Sequence, residues 1–195
     1  MGCVTHVSTS SELQIASNLS QSKAKIFLET RYYMRDALSD LFNINPIKIP
    51  IIAHPGKPPK LPNGMGYISI SHCKDAFIIG WHQEKIGVDI ERSDREFNYK
   101  KLAKKYFQKE NNNNLNKYLI LKEWSAIEAA IKCERGKLSR DIKEWEYQIN
   151  QKNVHHKSKK IKLNLKQISL FDWTISIAYK SKNSYDAPKI ICSNL

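Results

Sequence analysis

Apolar and polar positions change period several times along the chain. From Gln21 to Phe42, the apolar residues Phe27, Met34, Leu38 and Leu41 recur at helical spacing and predict a long helix. Arg31 and Arg35 are four apart and share one of its faces. Asn43 to Pro46 ends it, and IKIPII predicts a short strand. His54 to Gly64, HPGKPPKLPNG, is broken by Pro and Gly and predicts a loop. YISIS, AFIIGWH and IGVDIE follow and predict paired strands. KKLAKKYF predicts a helix and ENNNN a loop tip. Tyr118 to Cys133, YLILKEWSAIEAAIKC, predicts a strong helix ending near Gly136. IKLNLK, ISLFDW and TISIAYK then predict strands of an antiparallel sheet. A helix leading through a loop into paired strands thus occurs twice, from Gln21 to Gly87 and from Tyr118 to Tyr179. The order predicts an α+β protein of two similar halves side by side, without any sequence repeat to mark them.

Composition narrows the class. The 195 residues suit one large or two small domains, and 41% hydrophobic residues are enough for a buried core. Lys and Arg number 32 against 19 Asp and Glu, a net charge of +13. That balance suggests an anionic partner: nucleic acid, membrane surface, phosphorylated small molecule or acidic protein. The last third is especially basic, with nine Lys between Tyr147 and Leu195 against Asp172 and Asp186. Cys3, Cys73, Cys133 and Cys192 form no CxxC pair and no zinc spacing, and read as free thiols of a reducing compartment. No apolar run has membrane length, and MGCVTHVSTS lacks the pattern of a signal peptide. Gly2 is not followed by a myristoylation pattern, because His6 stands where Ser or Thr is required. The expectation is a soluble, cytoplasmic protein.

The chemistry concentrates in IGVDIE. Strands are poor in acids, yet Asp89 and Glu91 sit two apart and point to the same face of this one. Taken alone, the pair reads as the solvated face of an edge strand. On the following helix, Trp124, Glu128 and Lys132 lie at i, i+4 and i+8 along one stripe, where Glu128 and Lys132 alone would be an ordinary surface ion pair. Asp89, Glu91 and Glu128 together could supply three oxygen ligands to a hard cation such as Mg²⁺, and Lys132 could then meet phosphate oxygens. ISH, Ile70 to His72, ends a strand just before the acid pair.

The series GKP (Gly56 to Pro58), ISISH (Ile68 to His72), GVDIE (Gly87 to Glu91), KKYF (Lys104 to Phe107) and WSAIEAAIK (Trp124 to Lys132) resembles the 4′-phosphopantetheinyl transferases. The likeness spans about Lys25 to Tyr147 and is greatest to the larger, surfactin-synthetase-activating type. That resemblance implies an α+β fold whose two similar halves pack as an intramolecular pseudo-dimer, with residues 1–85 as the N-terminal half and 86–195 as the C-terminal half carrying the metal site. It implies a holo-[acyl-carrier-protein] synthase type of activity. The phosphopantetheine arm of coenzyme A passes to a serine of an apo acyl or peptidyl carrier protein, releasing adenosine 3′,5′-bisphosphate. Asp89, Glu91 and Glu128 stand where the family binds Mg²⁺, and Lys132 where it contacts the diphosphate. His72, with Ser71 beside it, stands at a position that meets the coenzyme A phosphates. Arg31 and Lys57 stand where the family holds the nucleotide and its 3′-phosphate. Glu128 is the candidate general base, directly or through a metal-bound water, with Glu91 as alternative. The implied partners are coenzyme A and an acidic carrier protein, with no nucleic acid and no membrane, and one chain completes a site, so a monomer is expected.

One position departs from the family's W-x-x-K-E-A-x-x-K pattern: residue 127 is Ile instead of Lys. Position 127 lies about 100° round the helix from 128, so the metal triad need not be disturbed. The expectation is that Ile127→Lys keeps or raises activity. The lysine-rich segment 152–162 matches no motif of the family. Two other classes share parts of the signal. A metal-dependent nuclease would use the same D-x-E and E-x-x-x-K residues but leave ISH and GKP without a role. A nucleic-acid-binding protein would need Phe171, Trp173 and Tyr179 exposed on a sheet among basic residues.

Overall fold

A computed structural model describes residues 7–52, 57–74, 76–109, 115–180 and 188–194, with only the backbone for 189 and 191–194. The sequence features at Gly2, Cys3, His6 and Gly56, and the ENNNN segment at Glu110 to Asn114, lie outside the described residues. The fold is α+β, built from helices and two antiparallel sheets. Among the described residues no helix is long and apolar enough to cross a membrane.

The first helix was not expected from apolar spacing. α1 (Ser10–Ser17) starts at a capping box in which the Thr9 hydroxyl receives the Glu12 N–H, while the Glu12 carboxylate receives the Thr9 N–H. α2 (Gln21–Phe42) follows and ends on Asn43 in the left-handed conformation. IKIPII is not a strand: Pro46–Lys48 forms a 3₁₀ turn, and Ile52 makes only an isolated bridge to Lys60. Prolines at 46 and 50 remove ladder donors and keep this run out of a sheet.

β1 (Tyr67–Cys73) and β2 (Ala76–His82) form a hairpin, and the C-terminal β8 (Lys189–Asn194) pairs with β2 to make a three-stranded sheet. The second sheet has the order β3-β7-β6-β5-β4. It contains β3 (Ile86–Arg92), β4 (Trp145–Gln148), β5 (Asn153–His156), β6 (Lys162–Leu170) and β7 (Trp173–Tyr179). β5 and the turn after it absorb the lysine-rich segment. ISLFDW is not a strand of its own. It is the end of β6, a turn at Phe171 (φ 48°) and the start of β7, with Phe171 87% exposed at the tip.

Three apolar clusters join these parts. Met34 and Leu38 of α2 pack on Ile68, Phe77 and Ile79 of the first sheet. α4 (Lys117–Cys133) covers the second sheet, with Ala126, Ile127, Ala130 and Ile131 against Trp145, Val154, Leu163 and Leu165. Between the sheets, Ala76 and Ile78 of β2 meet Val88 and Ile90 of β3 and Ile175 and Ile177 of β7. Because side chains alternate along β3, burying Val88 and Ile90 in this cluster turns Gly87, Asp89 and Glu91 the other way, towards α4. A Cβ on Gly87 would lie 1.9 Å from the Ala129 carbonyl oxygen and 2.3 Å from the Cys133 nitrogen. Glycine at the head of GVDIE therefore lets the α4 backbone close onto the strand. α3 (Tyr99–Phe107) packs beside α4 at its outer edge, with Tyr106 against Trp124.

Candidate functional site

The site lies where β1, β3 and α4 meet. β1 borders the first sheet and β3 the second, and the two are tied by side chains: the Ser69 hydroxyl accepts the Val88 N–H at 3.1 Å. Asp89 and Glu91 are therefore not on a solvated strand face. They are 2% and 8% exposed, enclosed by β1 and α4.

The stripe on α4 delivers three side chains to this seam. Trp124 Nε1 donates to Glu91 Oε1 at 3.1 Å. Lys132 Nζ donates to Asp89 Oδ1 at 2.7 Å and to the Ser71 hydroxyl at 2.8 Å, and lies 3.8 Å from Glu128 Oε2. Ser71 in turn donates to Asp89 Oδ1 at 2.8 Å. Asp89 Oδ2 is buried and receives no hydrogen bond among the described residues. An acceptor left bare in a buried position is costly unless something else supplies its partner.

Three acids are thus gathered in one largely buried seam. Burial, reinforced by the Asp89 charge, pushes Glu91 up to about 7 despite Arg95 and Trp124. Burial and the same Asp89 charge push Glu128 up to about 7. Burial works against the Lys132 ammonium, but the charges of Asp89 and Glu128 outweigh it and raise its pKa. Glu91 and Glu128 can therefore gain or lose a proton near neutral pH.

A cavity of about 570 Å³ opens over this group. Asp89, Glu91, Glu128, Lys132, Ser71 and His72 all line it, so six of the eight residues singled out in the sequence come together. His72 is exposed at its wall. The other two do not line it. Lys57 is exposed on the segment before β1. Arg31 is 6% exposed under α1, with its guanidinium 4.7 Å from the Phe27 ring centre, Nη1 on the Met34 sulfur and Nε 4.0 Å from Glu12. The fold also adds cations that the sequence reading missed: Lys74, Arg92 and Arg95 line the same cavity. Arg95 reaches Glu91 Oε2 at 2.7 Å. Its i, i+4 spacing from Glu91 was the only available sign.

Ile127 requires a correction. It is 1% exposed within the α4 cluster, facing the second sheet and not the cavity. A lysine there would bring an ammonium into apolar surroundings, so the expectation that Ile127→Lys keeps or raises activity gives way to one of lost stability.

The acids fit a hard divalent cation in kind. All three offer carboxylate oxygens, and Asp89 Oδ2 is bare. As they stand, no three His, Cys, Asp or Glu side chains among the described residues are grouped tightly enough to hold a metal. Lys132 and Arg95 instead lie among the acids. In comparisons of the chain with protein-family models and with curated proteins, nothing matches.

Proposed function

We propose that this protein is a Mg²⁺-dependent phosphopantetheinyl transferase, moving the phosphopantetheine arm of coenzyme A to a serine of an apo acyl or peptidyl carrier protein. The observation that carries the reading is the meeting of Asp89 and Glu91 from β3, Glu128 and Lys132 from α4, and Ser71 and His72 from β1 around one cavity. In that reading Asp89, Glu91 and Glu128 would hold the ion, which when bound supplies charge neutralisation at the diphosphate. Lys132, released from Asp89, contacts the diphosphate oxygens, and His72 meets the coenzyme A phosphates. Glu128, directly or through a metal-bound water, is the candidate to take the proton of the acceptor serine, with Glu91 as alternative. Trp124 fixes the Glu91 carboxylate through its N–H.

The same reading takes the two helix-on-sheet layers, α2 on the first sheet and α4 on the second, as the halves of an intramolecular pseudo-dimer, with one chain sufficient for activity. It takes the protein as cytoplasmic. The net charge of +13 suits an acidic carrier protein and coenzyme A alike. Intact-mass measurement of an apo carrier protein incubated with the enzyme, coenzyme A and Mg²⁺ tests the proposal. A gain equal to one phosphopantetheine group is expected, lost on Asp89→Ala or Glu128→Ala. No gain across acyl and peptidyl carriers would reject it.

A further inference from the structure

Arg95 carries an inference beyond that reading. It sits on the irregular connection between β3 and α3, with its guanidinium 5.1 Å from the Phe97 ring centre. It meets the site at Glu91, with Nη1 2.7 Å from Oε2. A guanidinium normally grips a carboxylate through two parallel N–H bonds. Here the other oxygen, Glu91 Oε1, already receives the Trp124 N–H. Arg95 Nε is buried without an acceptor among the described residues. Arg95 thus meets its carboxylate through Nη1, with Nε unpaired among the described residues, while its side chain lines the cavity.

We infer that Arg95 is a displaceable counter-cation: it neutralises Glu91 in the metal-free protein, and when a divalent cation takes Glu91 it is released as an additional phosphate contact. The inference rests on the reading of Asp89, Glu91 and Glu128 as a divalent-cation site. Charge explains the exchange. A divalent ion and a guanidinium compete for the same oxygen, and each weakens the other's hold. Once the ion is present, Lys132, Arg95, Lys74 and Arg92 all line a cavity whose acids are occupied, and phosphate oxygens are the acceptors that suit a guanidinium fork. Arg95 then supplies a cation near the phosphates that position 127, buried in the core, cannot. Metal and phosphate binding become coupled, and by linkage the coupling is reciprocal.

The test is Mn²⁺ binding, followed by electron paramagnetic resonance of the free ion, to the wild type, Arg95→Gln, Arg95→Lys and Asp89→Asn. Coenzyme A affinity is measured with and without Mn²⁺ by calorimetry, and folding is checked by circular dichroism. Arg95→Gln is expected to bind Mn²⁺ alone about 5-fold more tightly or better, because a competing charge has gone. It should bind coenzyme A about 10-fold more weakly in the presence of Mn²⁺. Arg95→Lys should fall between, since it keeps the charge and loses the fork. A folded Arg95→Gln protein with unchanged or weaker Mn²⁺ binding, or unchanged coenzyme A binding, overturns the inference alone. A wild type that binds no Mn²⁺, or binds it equally well after Asp89→Asn, overturns the metal-site reading and the inference with it.

Discussion

Glu12 and Glu128 are both carboxylates set beside cations of a long helix, and their surroundings treat them oppositely. Glu12 pairs with Arg35 through two contacts, Nη2 to Oε1 at 2.9 Å and Nε to Oε2 at 3.2 Å, and also closes the α1 capping box. Burial alone would raise its pKa, yet Arg35 and Thr9 hold it below the usual carboxylate range. Arg35 spends its remaining donors on the carbonyls of Pro46, Ile47 and Ile49. Among the described residues the ion-pair partner of Glu128 is Lys132 at 3.8 Å, which it shares with Asp89. The Glu12–Arg35 pair clamps α1, α2 and the following turn together. The other cluster divides Lys132 between Asp89 and Glu128, leaves Asp89 Oδ2 bare and opens on a cavity. A buried carboxylate gripped at both oxygens, like Glu12, reads as structure; acids that share one lysine and keep a bare buried oxygen over a cavity read as a place kept for a ligand.

Breaking the Glu12–Arg35 pair should cost most. Arg35→Ala leaves Glu12 buried without its partner and is expected to lower stability by about 3–5 kcal/mol, measured by urea denaturation. A loss well under this would mean that the pair is dispensable and the contrast is false. Ile127→Lys comes next, at about 3 kcal/mol, because the ammonium has no partner in that apolar cluster. If its midpoint of thermal unfolding matched the wild type, residue 127 would have to reach solvent.

The smallest effect has the opposite sign. Glu128→Gln removes one of three competing acids and should leave the metal-free protein as stable as the wild type or up to about 1 kcal/mol more stable above pH 7. The pH dependence follows the same logic. Glu91 and Glu128 have pKa values raised in the folded protein from 4.5 to about 7. Their contribution to stability is complete below pH 4.5 and is lost as pH rises through 7. Glu12, whose pKa is lowered, contributes above 4.5 and loses its contribution as pH falls. Thermal melts of metal-free protein between about pH 5 and pH 8 should therefore show a decline that is smaller in Glu128→Gln. An identical decline in both would remove Glu128 from the strained group.

How much of this could be read beforehand depended on whether the controlling contacts were local. α2 and α4 carry clear helical periodicity, and the strand period of two puts Asp89 and Glu91 on one face without any tertiary knowledge. α1 gives a weak periodic signal, because its eight residues hold few apolar positions, and the spacing of Thr9 and Glu12 as a capping box is its one local mark. The burial of Arg31 under α1 is hidden with it. IKIPII is rich in β-branched residues, but its Pro50 and the preceding Pro46 prevent pairing. The close approach at Gly87 and the seam between β1 and β3 depend on packing between distant segments, which no local pattern encodes. Arg95 lies in an aperiodic polar stretch, so only the fold connects it with Lys132 and Glu128.

A crystal structure grown with coenzyme A and Mg²⁺ tests the central claim most directly. The account predicts an ion bound by Asp89, Glu91 and Glu128, with the Lys132 ammonium moved from Asp89 onto the diphosphate. Coenzyme A bound away from the β1–β3–α4 seam, or Lys132 still on Asp89 with no ion among the three acids, would contradict it.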